Sequence, residues 1–436
     1  MFEQIWNWIK KLFGTNKTST SDRQQAENQK YADEYTDISK INFNAIFSNR
    51  LATKATADST VEIPADNKRA ELLNDALQDV WNKIKKITAA SLGVGGCLLV
   101  PYVQDGQILF NTVKQNRLLI NGRKGDKITN ATVLADSTVV NNNLYYRFTN
   151  YAVEGNTLYI TNKVTNASGG IAIVDEWKDI PDMAISNVDR VLFGFIKSPV
   201  DNRKSSDEYG VPITYGCRET INDIYKCLEQ IRDEYKLKEV RLQVDDRTLD
   251  RDPKTGEVKL KSKLFLKGHS TDGELFNIFD PAIRDSAFYS RLINLFELLE
   301  KEVGTSKGIL SAPATHGATA TEIRTANEDT FDLVSDIRDA IEKGVEDYIY
   351  ACDVLANYYN LTPPGKYDIK YDWSYAMVES TTETWQQMKD LQSVGGLSKA
   401  ELRAWQTGED LETAQAKVDE ITANEPNMQS LLGMSE

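Results

Sequence analysis

From Ile323 to Tyr359 the chain sets Ile323, Ala326, Thr330, Val334, Ile337, Ile341, Val345, Tyr348, Cys352, Leu355 and Tyr359 at steps of three or four, 36 residues in ten steps. A spacing of 3.6 is the period of an α-helix with one buried face. No proline interrupts it between Pro313 and Pro363. The expectation is one helix of about 40 residues, roughly 60 Å long, with Gly344 as its candidate kink. Such a length exceeds the usual globular helix and suits an elongated or oligomeric particle. Its start is marked by Thr319-Ala320-Thr321-Glu322, a capping box in which the Thr hydroxyl and the Glu carboxylate satisfy two orphan backbone N–H groups. The stretch before it, Ser306 to Ala318, is rich in Gly, Ala, Ser and Thr and nearly uncharged, which reads as slack chain.

With 436 residues and 41% hydrophobic content, the chain has material for two or three domains or one elaborated body. No run approaches the roughly 18 apolar residues of a membrane span, and the N-terminus lacks a signal-peptide pattern. A soluble, intracellular protein is expected. Cys97, Cys217, Cys227 and Cys352 are scattered without CxxC spacing, so buried free thiols are expected in place of a disulfide framework or zinc site. The net charge of −14 argues against a surface that grips nucleic acid all over, but not against one past which DNA slides.

Along the chain, MFEQIWNWIKKLFG places Phe2, Ile5, Ile9, Leu12 and Phe13 at helical spacing with Gly14 as a stop. A helix docked on the body or on a neighbouring subunit is favoured over a membrane-surface anchor. Residues 15–30 read as a polar linker. From Asn67 to Ser91 an amphipathic pattern runs through Leu73, Leu77, Val80, Ile84 and Ile87 to the glycines of SLGVGG. Those glycines precede a strand and no Lys-Ser/Thr follows, so they are no phosphate loop. Two hairpins are predicted, CLLVPYV with QILFNTV around Gln104-Asp105-Gly106, and YYRFTNYAV with LYITNKV around Glu154-Gly155-Asn156. Strands continue through GIAIVDEW and VLFGFI, so roughly the first 200 residues read as α+β with a meandering antiparallel sheet.

The stretch SPVDNRKSSDEYGVPI breaks this pattern and marks a boundary. A helix follows through Ile213, Cys217, Ile221, Ile224, Leu228, Ile231 and Tyr235. At about Leu237 it yields to a β insertion of VRLQV, an Asp252-to-Gly256 turn and VKLKSKLFL. Lys238 to Gly268 holds nine basic and six acidic residues; charge on solvated strands explains this as readily as a docking face. After Pro281 a second helix carries Ile283, Ala287, Phe288, Leu292, Leu295, Phe296 and Leu299, with Gly304 as its stop. Beyond the long helix, TPPGKYDIKYDWSYAMVE reads as a loop and one strand. The last 58 residues read as helical, with a second capping box at Ser398-Lys399-Ala400-Glu401 and a break at Gly408; they hold eleven acids and four bases.

No catalytic motif appears. The two histidines, His269 and His316, stand in no ligand spacing, and neither GxSxG nor a P-loop occurs. No enzyme activity, cofactor or metal is expected, and if the chain handles DNA a partner must supply the energy.

The order of parts resembles the portal proteins of tailed bacteriophages. The resemblance rests on the YGVPI entry to the first helix, the β insertion between two helices, ATATEI leading into the long helix, the GLSKAELR helix start, and the short apolar N-terminal helix with its Lys-Lys. It implies an elongated α+β subunit of a ring, typically of twelve copies, at one capsid vertex, through which double-stranded DNA is packaged, retained and ejected. By position it implies an N-terminal wing at 1–203, a first stem helix at 204–237, a clip at 238–280 and a second stem helix at 281–303. A tunnel loop at 304–319, the long helix and C-terminal wing at 320–378, and a crown at 379–436 complete it.

The implied partners are the terminase large subunit, a head-tail adaptor, and the major capsid and scaffold proteins, with no membrane; the ring would assemble in the host cytoplasm and reside in the virion. Lys307, Thr315, His316 and Thr319 become candidates for phosphate contact in the channel. Arg284, Arg291 and Lys301 become channel-lining stem candidates, with pairing to a neighbouring subunit's acids as the alternative. Arg247, Arg251, Lys254, Lys259 and Lys261 become clip residues facing terminase or adaptor. The competing readings are a membrane-associated oligomeric scaffold anchored by residues 1–13 and a metal-dependent DNA-processing enzyme.

Overall fold

The computed structural model describes residues 20–203, 208–237, 241–245, 254–255, 265–268, 276–279, 285–312, 327–373, 388–407 and 409–424. It is 48% helical and 24% strand, the mixed composition expected of an α+β chain. By contacts it divides into two compact units, Met1–Ala314 with Asp332–Asp372, and Thr315–Phe331 with Trp373–Glu436. The N-terminal helix predicted over residues 1–14 lies outside the described residues.

The stretch expected as a linker is instead helical from Thr20: α1 spans Thr20–Thr36. Its inward face is largely polar, with Gln24, Gln25 and Asn28 buried beside Tyr31 and Ala32. Gln25 Nε2 donates to the Leu118 carbonyl at 2.5 Å, and Asn28 Oδ1 accepts from Gln115 Nε2 at 3.0 Å. Hydrogen bonds hold this helix where an apolar stripe usually does, so no hydrophobic period announces it. Helix α2 (Phe43–Thr56) is capped by Asn42, whose Oδ1 accepts from the Ala45 N–H at 2.9 Å.

The helix predicted over 67–91 is two, α3 (Lys68–Trp81) and α4 (Ile84–Val94). At the break the Lys83 N–H donates to the Val80 carbonyl at 2.9 Å, a tightened turn that ends α3. Leu73, Leu77, Val80, Ile84 and Ile87 are all buried, so the apolar period runs through the break and hides it. Gly95, at φ +101, ends α4 and turns the chain into the first sheet.

One sheet has three strands in the order β3-β2-β9, formed by β2 (Gly96–Gln104), β3 (Gln107–Lys114) and β9 (Gly194–Lys197). The other has five, β4 (Leu118–Lys124) to β8 (Met183–Ser186), in sequence order through β5 (Lys127–Val140), β6 (Asn143–Glu154) and β7 (Thr157–Asn166). All pairs in both are antiparallel. Both predicted hairpins form, with Asp105 and Gly106 at φ 50 and 76 in the first turn and Gly155 at φ 66 in the second.

GIAIVDEW does not become a strand. Only Ile171 bridges back to Thr165, and Ile171 and Ile173 are 79% and 85% exposed. Asn166 Oδ1 accepts from the Ser168 and Gly170 N–H groups, curling the chain, while β8 takes the pairing positions on β7 from Thr157 to Ile160. A short pair, β1 (Thr60–Glu62) with β13 (Lys370–Asp372), is what the expected late strand contributes to the described residues.

The long helix, α7, is described from Glu328 to Tyr358, 31 residues; its predicted start at the Thr319 capping box lies outside the described residues. Val334, Ile337, Ile341, Val345, Tyr348, Cys352 and Leu355 are buried as the period requires. Ala351 and Leu355 join the core of Leu98, Leu118, Val133, Tyr151, Leu158 and Phe193 from the sheets. The helix runs continuously through Gly344, which is where it touches β9. A Cβ on Gly194 would stand 2.1 Å from the Gly344 carbonyl oxygen, and one on Gly344 2.4 Å from Ile196 Cγ1. Helix α7 ends with Asn360 at φ 52 and the Leu361 N–H donating to the Ala356 carbonyl at 3.0 Å.

Arg69, fully buried on α3, closes that end. Its Nη1 donates to the Asp353 carbonyl at 2.9 Å and to Asp353 Oδ1 at 2.8 Å, and Nη2 to Asn357 Oδ1 at 2.8 Å and the Thr362 carbonyl at 2.6 Å. Its Nε reaches the Pro363 carbonyl at 3.4 Å. Burial pushes the Asp353 carboxyl up, with Arg69 opposing. Replacing Arg69 with Met should lower the midpoint of denaturant unfolding by the equivalent of about 3 kcal/mol or more, because it strands these acceptors and leaves Asp353 uncompensated. Lys should restore only part, since one ammonium cannot span them.

In the second unit, the Ser398 capping box forms as predicted at the start of α8 (Lys399–Thr407): the Glu401 N–H donates to Ser398 Oγ at 3.1 Å and the Ser398 N–H to Glu401 Oε2 at 2.8 Å. Asp410 caps α9 (Leu411–Asn424), accepting from the Thr413 N–H at 2.9 Å, and Glu409 pairs with Lys417 and Arg403. Glu401 is held below the usual carboxylate range by the Ser398 N–H and hydroxyl, Glu409 by Lys417, and Asp410 by the Thr413 hydroxyl and N–H. Depressed acids stabilise the fold above their unfolded pKa and lose that contribution as pH falls through the folded one. Peptides covering 398–424 should therefore lose hydrogen-exchange protection, corrected for intrinsic rates, between about pH 5 and pH 3.

Candidate functional site

The stretch read from composition as a boundary, SPVDNRKSSDEYGVPI, ends in residues bonded to the body. The buried Tyr209 hydroxyl accepts from the Ile120 N–H at 2.7 Å. Gln115 works like a short strand, its Oε1 accepting from the Gly210 N–H and its Nε2 donating to the Gly210 carbonyl, both at 2.9 Å. A Cβ on Gly210 would sit 1.9 Å from the Gly95 carbonyl, so the crossing admits only glycine. This fastening fixes where the next helix leaves the body.

That helix is α5 (Arg218–Leu237), shorter at its start than the Ile213 expected from spacing, and it pairs antiparallel with α6 (Asp285–Val303). Cys227 lies against the Phe288 carbonyl, Tyr235 bonds Tyr289, and Tyr225 donates to the Ile41 carbonyl at 2.5 Å. Between the two helices the described residues form a three-stranded sheet in the order β11-β10-β12, from β10 (Arg241–Asp245), β11 (Phe265–Gly268) and β12 (Phe276–Phe279). The β10–β11 pair is parallel, and β10–β12 antiparallel.

After Gly304, at φ 83, the chain folds back on α6. Glu300, 1% exposed, receives four consecutive backbone N–H groups on Oε1: Gly308 at 3.2 Å, Ile309 at 2.7 Å, Leu310 at 2.6 Å and Ser311 at 3.2 Å. Ser311 Oγ donates to Oε2 at 2.5 Å, and the Glu300 carbonyl accepts from the Thr305 N–H at 2.9 Å and hydroxyl at 3.1 Å. Residues 308–311, within the stretch expected to be slack, are fastened, and Thr305 and Ser306 are buried. One signal in the sequence pointed here: an acid in the last turn of a helix opposes the macrodipole and needs compensation.

Of the residues singled out from the sequence, Lys307 is exposed and pairs with Glu297 on α6 at 2.8 Å. Arg291 reaches across to Gln230 Oε1 on α5 at 3.4 Å, Lys301 is exposed on α6, and Lys254 is exposed in a turn with Thr255. Arg247, Arg251, Lys259, Lys261, Arg284, Thr315, His316 and Thr319 lie outside the described residues. Glu297, Glu300 and Ser311 were not anticipated.

Among the described residues no group of three or more His, Cys, Asp or Glu is placed to hold a metal ion, and no helix is long and apolar enough to cross a membrane. All four cysteines are buried and free; burial pushes the Cys97 and Cys217 thiols up to about 12, far from a nucleophile's range. One cleft, of 890 Å³, is lined by the acids Glu27, Glu34, Asp37, Asp201 and Glu302 and the bases Lys30, Lys40, Arg203 and Arg218, with Arg218 already 3.4 Å from Glu34. Its charges offset one another and favour neither a phosphate nor a cation.

Residues 137–426 match the family described as phage portal protein, SPP1 Gp6-like. The chain belongs to the phage portal protein family. No curated protein matches it. The matched span runs from within β5 to just past α9, and so takes in the helix pair, the inserted sheet, the fastened loop and the long helix. Portal proteins are structural, non-enzymatic components of the capsid vertex that assemble as rings and serve as DNA-packaging connectors.

Proposed function

We propose that this chain is the subunit of a closed ring, of about twelve copies, that forms the channel for packaging, retaining and ejecting double-stranded DNA. The observation that carries the reading is the succession of parts inside the matched span: helix α5, a small sheet, helix α6, a loop turned back on α6, and α7. In this reading 1–203 and 320–378 are the wing, 204–237 and 281–303 the stem, and 238–280 the clip. Residues 304–319 are the channel loop and 379–436 the crown.

The energy to move DNA comes from the terminase, which docks on the clip through Arg247, Arg251, Lys254, Lys259 and Lys261. A head-tail adaptor later takes the same face. Capsid and scaffold proteins surround the wing.

Charge supports sliding. Twelve copies at −14 each carry about −168, and such a ring repels the polyanion it conducts. Lys307, Thr315, His316 and Thr319 touch phosphate without reading sequence. Lys307 already has Glu297 as a partner, so its hold on passing phosphate is an exchange of ion pairs and stays weak. Arg291 and Lys301 line the stem with Arg284.

Imaging of the purified protein, with native mass measurement, should show closed rings near 590 kDa for twelve copies of 49.1 kDa, formed without lipid. Liposome co-sedimentation that disappears on deleting residues 1–14, with no rings, would favour the membrane scaffold instead. Replacing Pro313 to Gly317 by a Gly-Ser segment should impair DNA retention while rings still form; retention at the wild-type level would remove the loop from the mechanism.

A further inference from the structure

We propose that Glu300 is the positioning residue that joins the base of the channel loop, residues 308–311, to stem helix α6 as one moving part. The proposal deepens the portal reading and rests on it. Four amides from consecutive residues converge on one carboxylate oxygen while a hydroxyl bonds the other. Such convergence requires the chain to curl, and Gly304 and Gly308, at φ 83 and 120, supply backbone angles that other residues rarely adopt.

A carboxylate buried near the negative end of a helix dipole is costly unless compensated. Here the amides of 308–311 are the compensation, so loop base and helix end are each other's condition for being in place. Lys307 adds a second, exposed hold one turn back, on Glu297.

Force applied by DNA to the loop then reaches α6 directly. Without Glu300, residues 308–311 would be free to flex and would absorb it.

Glu300→Gln keeps the shape and can keep both contacts, its Oε1 accepting from the amides and its N–H₂ donating to Ser311 Oγ, but it removes the negative charge on which four converging N–H groups depend. The test uses full-length rings, read by hydrogen exchange resolved at 308–311 and by DNA packaging and retention in assembled particles. In the wild type, the 308–311 amides should exchange as slowly as the last turn of α6. In Glu300→Gln they should exchange at least about tenfold faster, with α6 and α7 unchanged, rings intact and DNA retention reduced several-fold.

Wild-type amides at 308–311 that exchange at unprotected rates would overturn the proposal, as would Glu300→Gln amides that stay protected. Faster exchange with wild-type packaging and retention would overturn the coupling. Should Glu300→Gln not fold, Ser311→Ala, which removes only the hydroxyl bond, must show an intermediate rise at 308–311, and no rise would count against the proposal. Failure of the wild type to form rings speaks against the portal reading, whereas the exchange result decides the Glu300 contact by itself.

Discussion

The architecture of the first unit turns on the buried guanidinium of Arg69. Through it helix α3, early in the chain, holds the C-terminal end of α7 and the turn that leaves it, nearly 300 residues later. Two of the carbonyls it takes, those of Thr362 and Pro363, lie in the turn beyond the helix, and the third is that of Asp353 near the helix end. With that end fixed, α7 lies against β9 through the Gly194–Gly344 contact, and the sheets close on its apolar face. A long helix set on a sheet by a polar clamp at one end and a glycine contact midway has one seating. That uniqueness matters in a subunit that must repeat identically around a ring.

Glu300 repeats the same physics at the candidate channel. In both places a charged group is buried and satisfied mostly by backbone groups, which ties together segments that hydrophobic packing alone would leave free to slide. Arg69 binds carbonyls at a helix end, and Glu300 binds amides beyond one. The proposed channel therefore has a loop with a fastened base, and weak, mostly repulsive electrostatics suit conduction better than binding does.

Much of this was legible in the residues. The 3.6 spacing from Val334 to Leu355, the Asp105-Gly106 and Gly155 turns, and the Ser398/Glu401 box each have a local cause, and each appears as expected. Helix α1 was not legible, because Gln25 and Asn28 earn their burial through partners about 90 residues away. The break at Lys83 was hidden by an apolar period that continues across it. Ile171 and Ile173 alternate like a strand, but the edge of β7 is taken by β8 from Thr157 to Ile160 and by Asp182, whose Oδ1 accepts from the Asn162 N–H at 2.7 Å. The Glu300 contact left only a faint trace, an acid at the wrong end of a helix. Gly210 looked like a linker residue and is a packing point, since the Gly95 carbonyl it meets is 115 positions earlier.

The most direct measurement of the central claim is a three-dimensional reconstruction of the assembled ring with double-stranded DNA in its channel. The account expects α5 and α6 to line the passage and the 304–312 segment of every subunit to face the DNA, seated on Glu300. A ring in which that segment points outward, with the duplex bordered by other parts of the chain, would contradict it.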